Sequence, residues 1–107
     1  MATGTITKVS NDSTSNYCKM PDGTLICWGM GTISSIQGTT EKDLYVGFPQ
    51  TYQAVPIVTV AMMTSGFNRR VNVKISSING FTATMALLSG TSSADGWFNW
   101  ISVGRWK

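Results

Sequence analysis

The 107-residue sequence contains no histidine, and its only other candidate metal or acid–base groups are two cysteines, Cys18 and Cys27, and five carboxylates, Asp12, Asp22, Glu41, Asp43 and Asp95. A zinc site needs four ligands, or three and a water, and this set has no such spacing. The cysteines stand as C-x8-C across a turn, not as C-x-x-C at a helix start where a thiolate would be stabilised, which argues against redox chemistry. Without histidine the commonest general base is missing. Glu41 and Asp43, two residues apart, read as a solvated acidic edge, with nothing nearby to raise one pKa as a glycosidase acid requires. The sequence therefore points to a protein that is not an enzyme and needs no metal or cofactor. Charge is scarce too. Only 12% of residues are charged, the net +3 comes from eight Lys and Arg, and no cationic run exceeds Arg69–Arg70; nucleic acid is not an expected partner. No apolar stretch approaches the ~18 residues of a membrane span, so membrane insertion is not expected. The opening "MATGTITKVS" lacks the apolar core of a signal peptide, so no export signal is expected on the chain itself. Ala, Leu, Glu and Lys are too few for a helix bundle.

What is abundant is Gly, Ser, Thr and Asn between short apolar-alternating runs, the composition of strands joined by turns. Residues 1–16, "MATGTITKVSNDSTSN", are polar and read as a linker or stem, with Ile6 and Val9 as the plausible anchors. Residues 17–107 read as one domain, long enough to bury a core of its own. Strands are predicted at about Asn16–Met20, Leu25–Gly29, Leu44–Phe48, Pro56–Thr64, Arg70–Ser77, Phe81–Leu88 and Trp97–Arg105, with Pro49 and Pro56 bracketing a non-strand crossing. The fold class is all-β, an antiparallel β-sandwich preceded by a β-hairpin and a polar stem.

Parity sets the hairpin registers, because residues facing each other across a hairpin project from the same face. In the later hairpin, a three-residue loop Ile78-Asn79-Gly80 with Gly80 left-handed puts Ile75 opposite Met85 and Val73 opposite Leu87, keeping the faces unmixed. In "YCKMPDGTLICWG", residues 17–29, a two-residue Asp22-Gly23 turn would set Cys18 against Cys27. A type I turn with Pro21 at its second position and Gly23 as the bulge puts the cysteines on opposite faces. Proline cannot donate the ladder bond beside a tight two-residue turn, which favours the second arrangement and free thiols.

"YCKMPDGTLICWG" resembles the Y-x-K-x-P-x-G-x-x-x-x-W-G hairpin that opens the C-terminal receptor-binding module (knob) of many phage and prophage tail fibres. "VGFPQTYQAVPIVTVAMM" is similar to that module's F-P-x-x-F-x-x-x-P-x-V segment, "INGFT" to its T-x-x-G-F strand, and "WFNWISVGRWK" to its W-I-A-I-G-R end. The resemblance spans residues 17–107. The segment from Val46 to Val103 also resembles the H-type lectins, antiparallel β-sandwiches that assemble as parallel trimers and bind N-acetylgalactosamine-like sugars near subunit boundaries. That likeness implies an H-type-lectin-like fold and puts Arg70 where a sugar-contacting arginine of a neighbouring subunit sits. Leu88-Ser89 stands where the lectins carry a Trp-His pair, so the sugar identity does not carry over.

Sugars are held by an aromatic face against C–H groups, with amides, hydroxyls and guanidinia bonding the sugar hydroxyls. Asn68, Arg69 and Arg70 follow Phe67, and "SGTSSADGW" supplies Ser89, Asp95 and Trp97. These six are the candidate glycan contacts. Two alternatives remain at this level: Trp97 anchors the core instead, and Arg70 pairs with Asp95 or Asp43 across a subunit contact. The function expected is a noncatalytic receptor-binding head of a phage or prophage tail fibre. It would sit at the virion's fibre tip as a homotrimer on an upstream shaft, made in the bacterial cytoplasm, and attach to bacterial surface carbohydrate. The alternatives are a structural trimerisation cap and a free-standing lectin. Met20, Met30, Met62, Met63 and Trp106 are generous for one small sandwich, and some are expected at subunit contacts.

Overall fold

The computed structural model describes residues 7–9, 16–62, 69–87 and 93–107. The strands are β1 (Thr7–Val9), β2 (Asn16–Lys19), β3 (Thr24–Gln37), β4 (Lys42–Gly47), β5 (Ile57–Met62), β6 (Arg69–Ser76), β7 (Gly80–Leu87) and β8 (Ser93–Arg105). They form two antiparallel sheets, a five-stranded one in the order β1-β2-β3-β8-β5 and a three-stranded one in the order β4-β7-β6. This is the sandwich expected from the alternating runs. The last strand lies inside the larger sheet, between β3 and β5.

Each strand has its place for a local reason. The first hairpin closes through Gly23 N–H to Met20 O at 3.0 Å, with Gly23 at φ 103°, and Thr24 N–H donates to Asp22 Oδ1 at 2.9 Å. This is the type I turn with a glycine bulge. Tyr17 therefore faces Cys27 while Cys18 faces Ile26. Both cysteines are free, Cys27 buried in the core and Cys18 half-buried on the other side of the sheet. β3 runs on past Gly29, where its end was expected, because Gly31 leaves the space that the Phe98 ring fills. A mid-strand glycine that looks like a breaker is here a slot for an aromatic from the neighbouring strand. Thr7–Val9, within the segment read as stem, pairs with β2.

The later hairpin differs from its expected register. Val73 faces Ala83 and Ile75 faces Thr82, not Leu87 and Met85, with a bulge between Val73 and Ile75. The loop is also anchored differently. Ser77 N–H donates to Gly80 O at 2.9 Å, Gly80 N–H donates to Ser77 Oγ at 3.2 Å, and Gly80 has no positive φ. The extra residue, Lys74, turns outward to Asp43 Oδ2 at 2.9 Å, and Ile75 is carried to the solvent side, 61% exposed.

The layers meet at aromatics. Trp100 of β8 and Phe81 of β7 lie 5.4 Å apart, and Phe48, just before the crossing between the prolines, packs on both at 5.9 Å and on Tyr52, within the crossing, at 5.1 Å. Tyr52 is buried, its hydroxyl 2.7 Å from Ser102 Oγ. Fully burying side chains of this size contributes about 1.5–3 kcal/mol each.

Candidate functional site

The sandwich has two distinct ends. β3, β5 and β7 finish, and β4, β6 and β8 begin, at one of them; the Pro21–Gly23 and Ser77–Gly80 turns lie at the other. Arg69, Arg70, Asp95 and Trp97 all belong to the first end. Asn68 and Ser89 lie outside the described residues. Sequence reading thus brings four candidates to one end, but register divides them between faces. Arg70 pairs with Ala86 on the outer face of the three-stranded sheet, whereas Trp97 pairs with Thr32 on the outer face of the five-stranded sheet.

Arg70 and Asp95 also meet their own chain. Arg70 Nη1 lies 3.5 Å from Glu41 Oε2, both side chains about half exposed. The Asn72 amide, oxygen turned to the guanidinium, accepts from Arg70 Nη1 at 2.9 Å. Asp43 takes Lys74, and hydrogen bonds from Lys74 and then Thr84 hold its carboxyl below the ordinary range. These two ion pairs reach from β6 over β7 to β4 and the residue before it, so the exposed Glu41 and Asp43 each meet a cation of the same chain. Asp95 Oδ1 accepts from Ser35 N–H at 2.9 Å, beside the β3 bulge where Ser35 has φ 56°. Trp97 is 41% exposed and so is not a core anchor. At this end the described residues offer guanidinium, carboxylate and indole surface for contact.

Two features went unread in the sequence. Tyr45 is 61% exposed beside Thr82, on the outer face of the three-stranded sheet; the outward parity of Asp43, Tyr45 and Gly47 was its available signal. At the turn end, Lys19 and Lys107 place ammonium groups 5.1 and 4.8 Å from the Trp106 ring, whose Nε1–H donates to Met20 O at 2.9 Å. Trp106 is therefore packed within its own chain. Met62 packs against the core and Met30 is half-buried on the outer face of the larger sheet, while Met63 lies outside the described residues.

The strands and these ends define an all-β, two-sheet antiparallel sandwich. No protein-family model matches the chain, and no curated protein matches it. Solved structures do. An N-truncated R1-type pyocin tail fibre superposes with a TM-score of 0.77 at 14% identity, covering 96% of this chain and 88% of that one. A C-terminal fragment of the Pseudomonas aeruginosa R1 pyocin fibre gives 0.73 at 15% identity, covering 96% of this chain and 29% of the other. The Pseudomonas phage phi297 tailspike gives 0.60 at 11% identity, covering 73% and 15%. The chain has the fold seen in these tail-fibre structures.

Proposed function

We propose that the chain is a noncatalytic receptor-binding domain of a phage or prophage tail fibre, acting at the fibre tip as a homotrimer that attaches to bacterial surface glycan. The observation that carries this reading is the fold shared with a pyocin tail fibre over 96% of the chain. The gathering of Arg69, Arg70, Asp95 and Trp97 at one end of the sandwich supports contact there. The H-type-lectin resemblance belongs to the same proposal, as does the division into a stem of residues 1–16 leading to an upstream shaft and a binding domain of residues 17–107. Noncatalytic action is supported by the carboxylates themselves. Asp22 and Asp95 accept backbone N–H groups, and Glu41 and Asp43 hold cations of the same chain.

The test is binding of the folded protein to candidate host cells and to arrays of surface glycans. Arg69→Ala and Arg70→Ala are expected to weaken binding by about 1–3 kcal/mol each, the worth of a charged hydrogen bond, with little change in melting temperature. Asp95→Ala should weaken binding similarly and also lower stability, since Ser35 loses its acceptor. Unchanged binding in all three would remove this surface. A second reading, a structural cap of the fibre, is favoured by the intrachain pairing of Arg70 and Asp95, and an assembled parent that binds no cell or glycan would put it first.

A further inference from the structure

We propose that Tyr45, on the outer face of the three-stranded sheet, is a stacking platform that takes one neutral pyranose ring of a glycan. This rests on the glycan-binding reading and adds to it a contact site away from the end that holds Arg69, Arg70, Asp95 and Trp97. Two glycines build the platform. Gly47 and Gly80 face each other across β4 and β7, one row beyond the Tyr45–Thr82 pair. All four point outward, since the alternate residues Leu44, Val46 and Phe81 pack into the core. A Cβ at Gly80 would meet the Tyr45 hydroxyl and come within 2.7 Å of Cζ of the ring, and one at Gly47 would lie 3.8 Å from its Cε2. The phenol therefore lies down over the glycine pair and does not stand off the sheet. One side of the ring rests on backbone; with the residue 61% exposed, the other is open to solvent. Glycine is a poor strand former, and this facing pair is explained by the ring that needs its space.

Groups able to bond sugar hydroxyls follow in the neighbouring positions. Thr82, half-buried, is the partner of Tyr45 on β7, and beyond it on β6 stands Ile75, 61% exposed, as an apolar wall. Past the hydroxyl end of the ring, in the turn before Gly80, Asn79 Oδ1 accepts from Thr51 Oγ1 at 3.3 Å. Both residues are exposed, so the amide NH2 stays available to a ligand oxygen. An open aromatic face with hydroxyl and amide groups at its margin suits a pyranose, whose C–H face packs on the ring while its hydroxyls reach the rim.

Charge selects the class of sugar. The two ion pairs of this face, Arg70 with Glu41 and Lys74 with Asp43, each cancel within the chain. Beyond them the sequence carries no charged residue from Leu44 to Asn68 or from Ile75 to Ala94, the stretches that supply Tyr45, both glycines, Thr51, Asn79 and Thr82. An anionic sugar on the ring would give up water and meet no cation but Lys74, which is already on Asp43. A neutral sugar needs none.

The test is an NMR titration of the folded full chain with neutral methyl glycosides, those of glucose, galactose and mannose, followed by glycan-array and cell binding of three variants. At millimolar glycoside the Tyr45 ring protons are expected to shift. Shifts at the Trp97 indole alone would overturn the platform and leave glycan binding to the end of the sandwich. On an array glycan or cell that the parent binds, Tyr45→Ala is expected to lose about tenfold or more, and Tyr45→Phe, which keeps the face, to stay near the parent. Tyr45→Leu keeps an apolar cover over the glycines, so it separates loss of stacking from loss of folding. It is expected to melt like the parent and bind like Tyr45→Ala; folded Tyr45→Leu with the parent's binding overturns the platform. Methyl glucuronide checks the charge, and a tighter response at Tyr45 than to the neutral glycosides overturns the neutral class. A parent that binds no glycoside, array glycan or cell overturns this site together with the glycan reading. Losses confined to Arg69→Ala and Arg70→Ala, with Tyr45→Ala unaffected, overturn this site alone.

Discussion

Tyr52 lies in no strand, yet its hydroxyl sits 2.7 Å from Ser102 Oγ and donates to Ser102 O at 3.1 Å, while its ring packs edge-on against Phe48. It also explains a glycine, since a Cβ at Gly104 would come within 2.8 Å of the Tyr52 ring. Burial, with the Cys27 side chain beside it, pushes the Tyr52 phenol well above its ordinary value of 10.0. The sign of the linkage follows. An acid whose folded pKa is raised contributes stability that is complete below the unfolded value and is lost as pH rises beyond it, because only the unfolded chain then releases the proton. Tyr52→Phe is expected to cost about 1 kcal/mol at neutral pH and to flatten the fall of stability above pH ~10. Thermal melts of both proteins from neutral to alkaline pH check this; a variant that loses stability as steeply as the parent would dissociate Tyr52 from the alkaline limb. The thiol of Cys27 is likewise pushed up by burial, as befits a core residue.

At the scale of elements, the outer face of the smaller sheet is organised by β6 and β4 reaching over β7. Lys74 is free to meet Asp43 because the bulge turns it outward, and the pair moves both groups: hydrogen bonding from Lys74 lowers Asp43, and Asp43 raises Lys74. Asp43's contribution is therefore present at neutral pH and fades as pH falls through the carboxylate range. Both side chains are open to water, so the effect belongs to titration rather than to overall stability. In an NMR titration, Lys74→Met should bring the Asp43 midpoint up toward that of an ordinary aspartate, with the melting temperature little changed. An unmoved midpoint would assign the shift to Thr84 instead. The first hairpin was legible because proline removes a donor and glycine accepts φ 103°, both local facts. The second was not, since a bulge carrying a lysine to a carboxylate on another strand leaves no mark in the sequence of its own hairpin.

For the whole molecule, if the proposed homotrimer attaches to glycan, each single-site contact is weak and three heads held in parallel multiply it through effective concentration. A folded monomeric form is therefore expected to lose far more apparent affinity for cells than Arg70→Ala does, by about 10²-fold or more. Surface-binding curves of the monomer and of the trimeric Arg70 variant, compared at equal head concentration, measure it. Equal losses would mean that attachment does not depend on multivalency.

Sequence alone determined the class of fold, since period-two alternation with abundant turn residues leaves an antiparallel β-protein as the economical arrangement. It also determined the first turn, the crossing between Pro49 and Pro56, and the inclusion of the last strand within a sheet, because these depend on neighbours along the chain. Tertiary structure decided the rest. Gly31 became part of a continuous strand because Phe98 needs its space, and Ile75 became exposed because of the bulge. It also sent Arg70 and Trp97 to opposite faces of one end and gave Arg70 to Glu41, which follows from strand order rather than spacing. Which of two apolar faces becomes the core is likewise a question that alternation cannot answer. In β8 both faces are apolar, and only the packing of the smaller sheet against one of them leaves the other open.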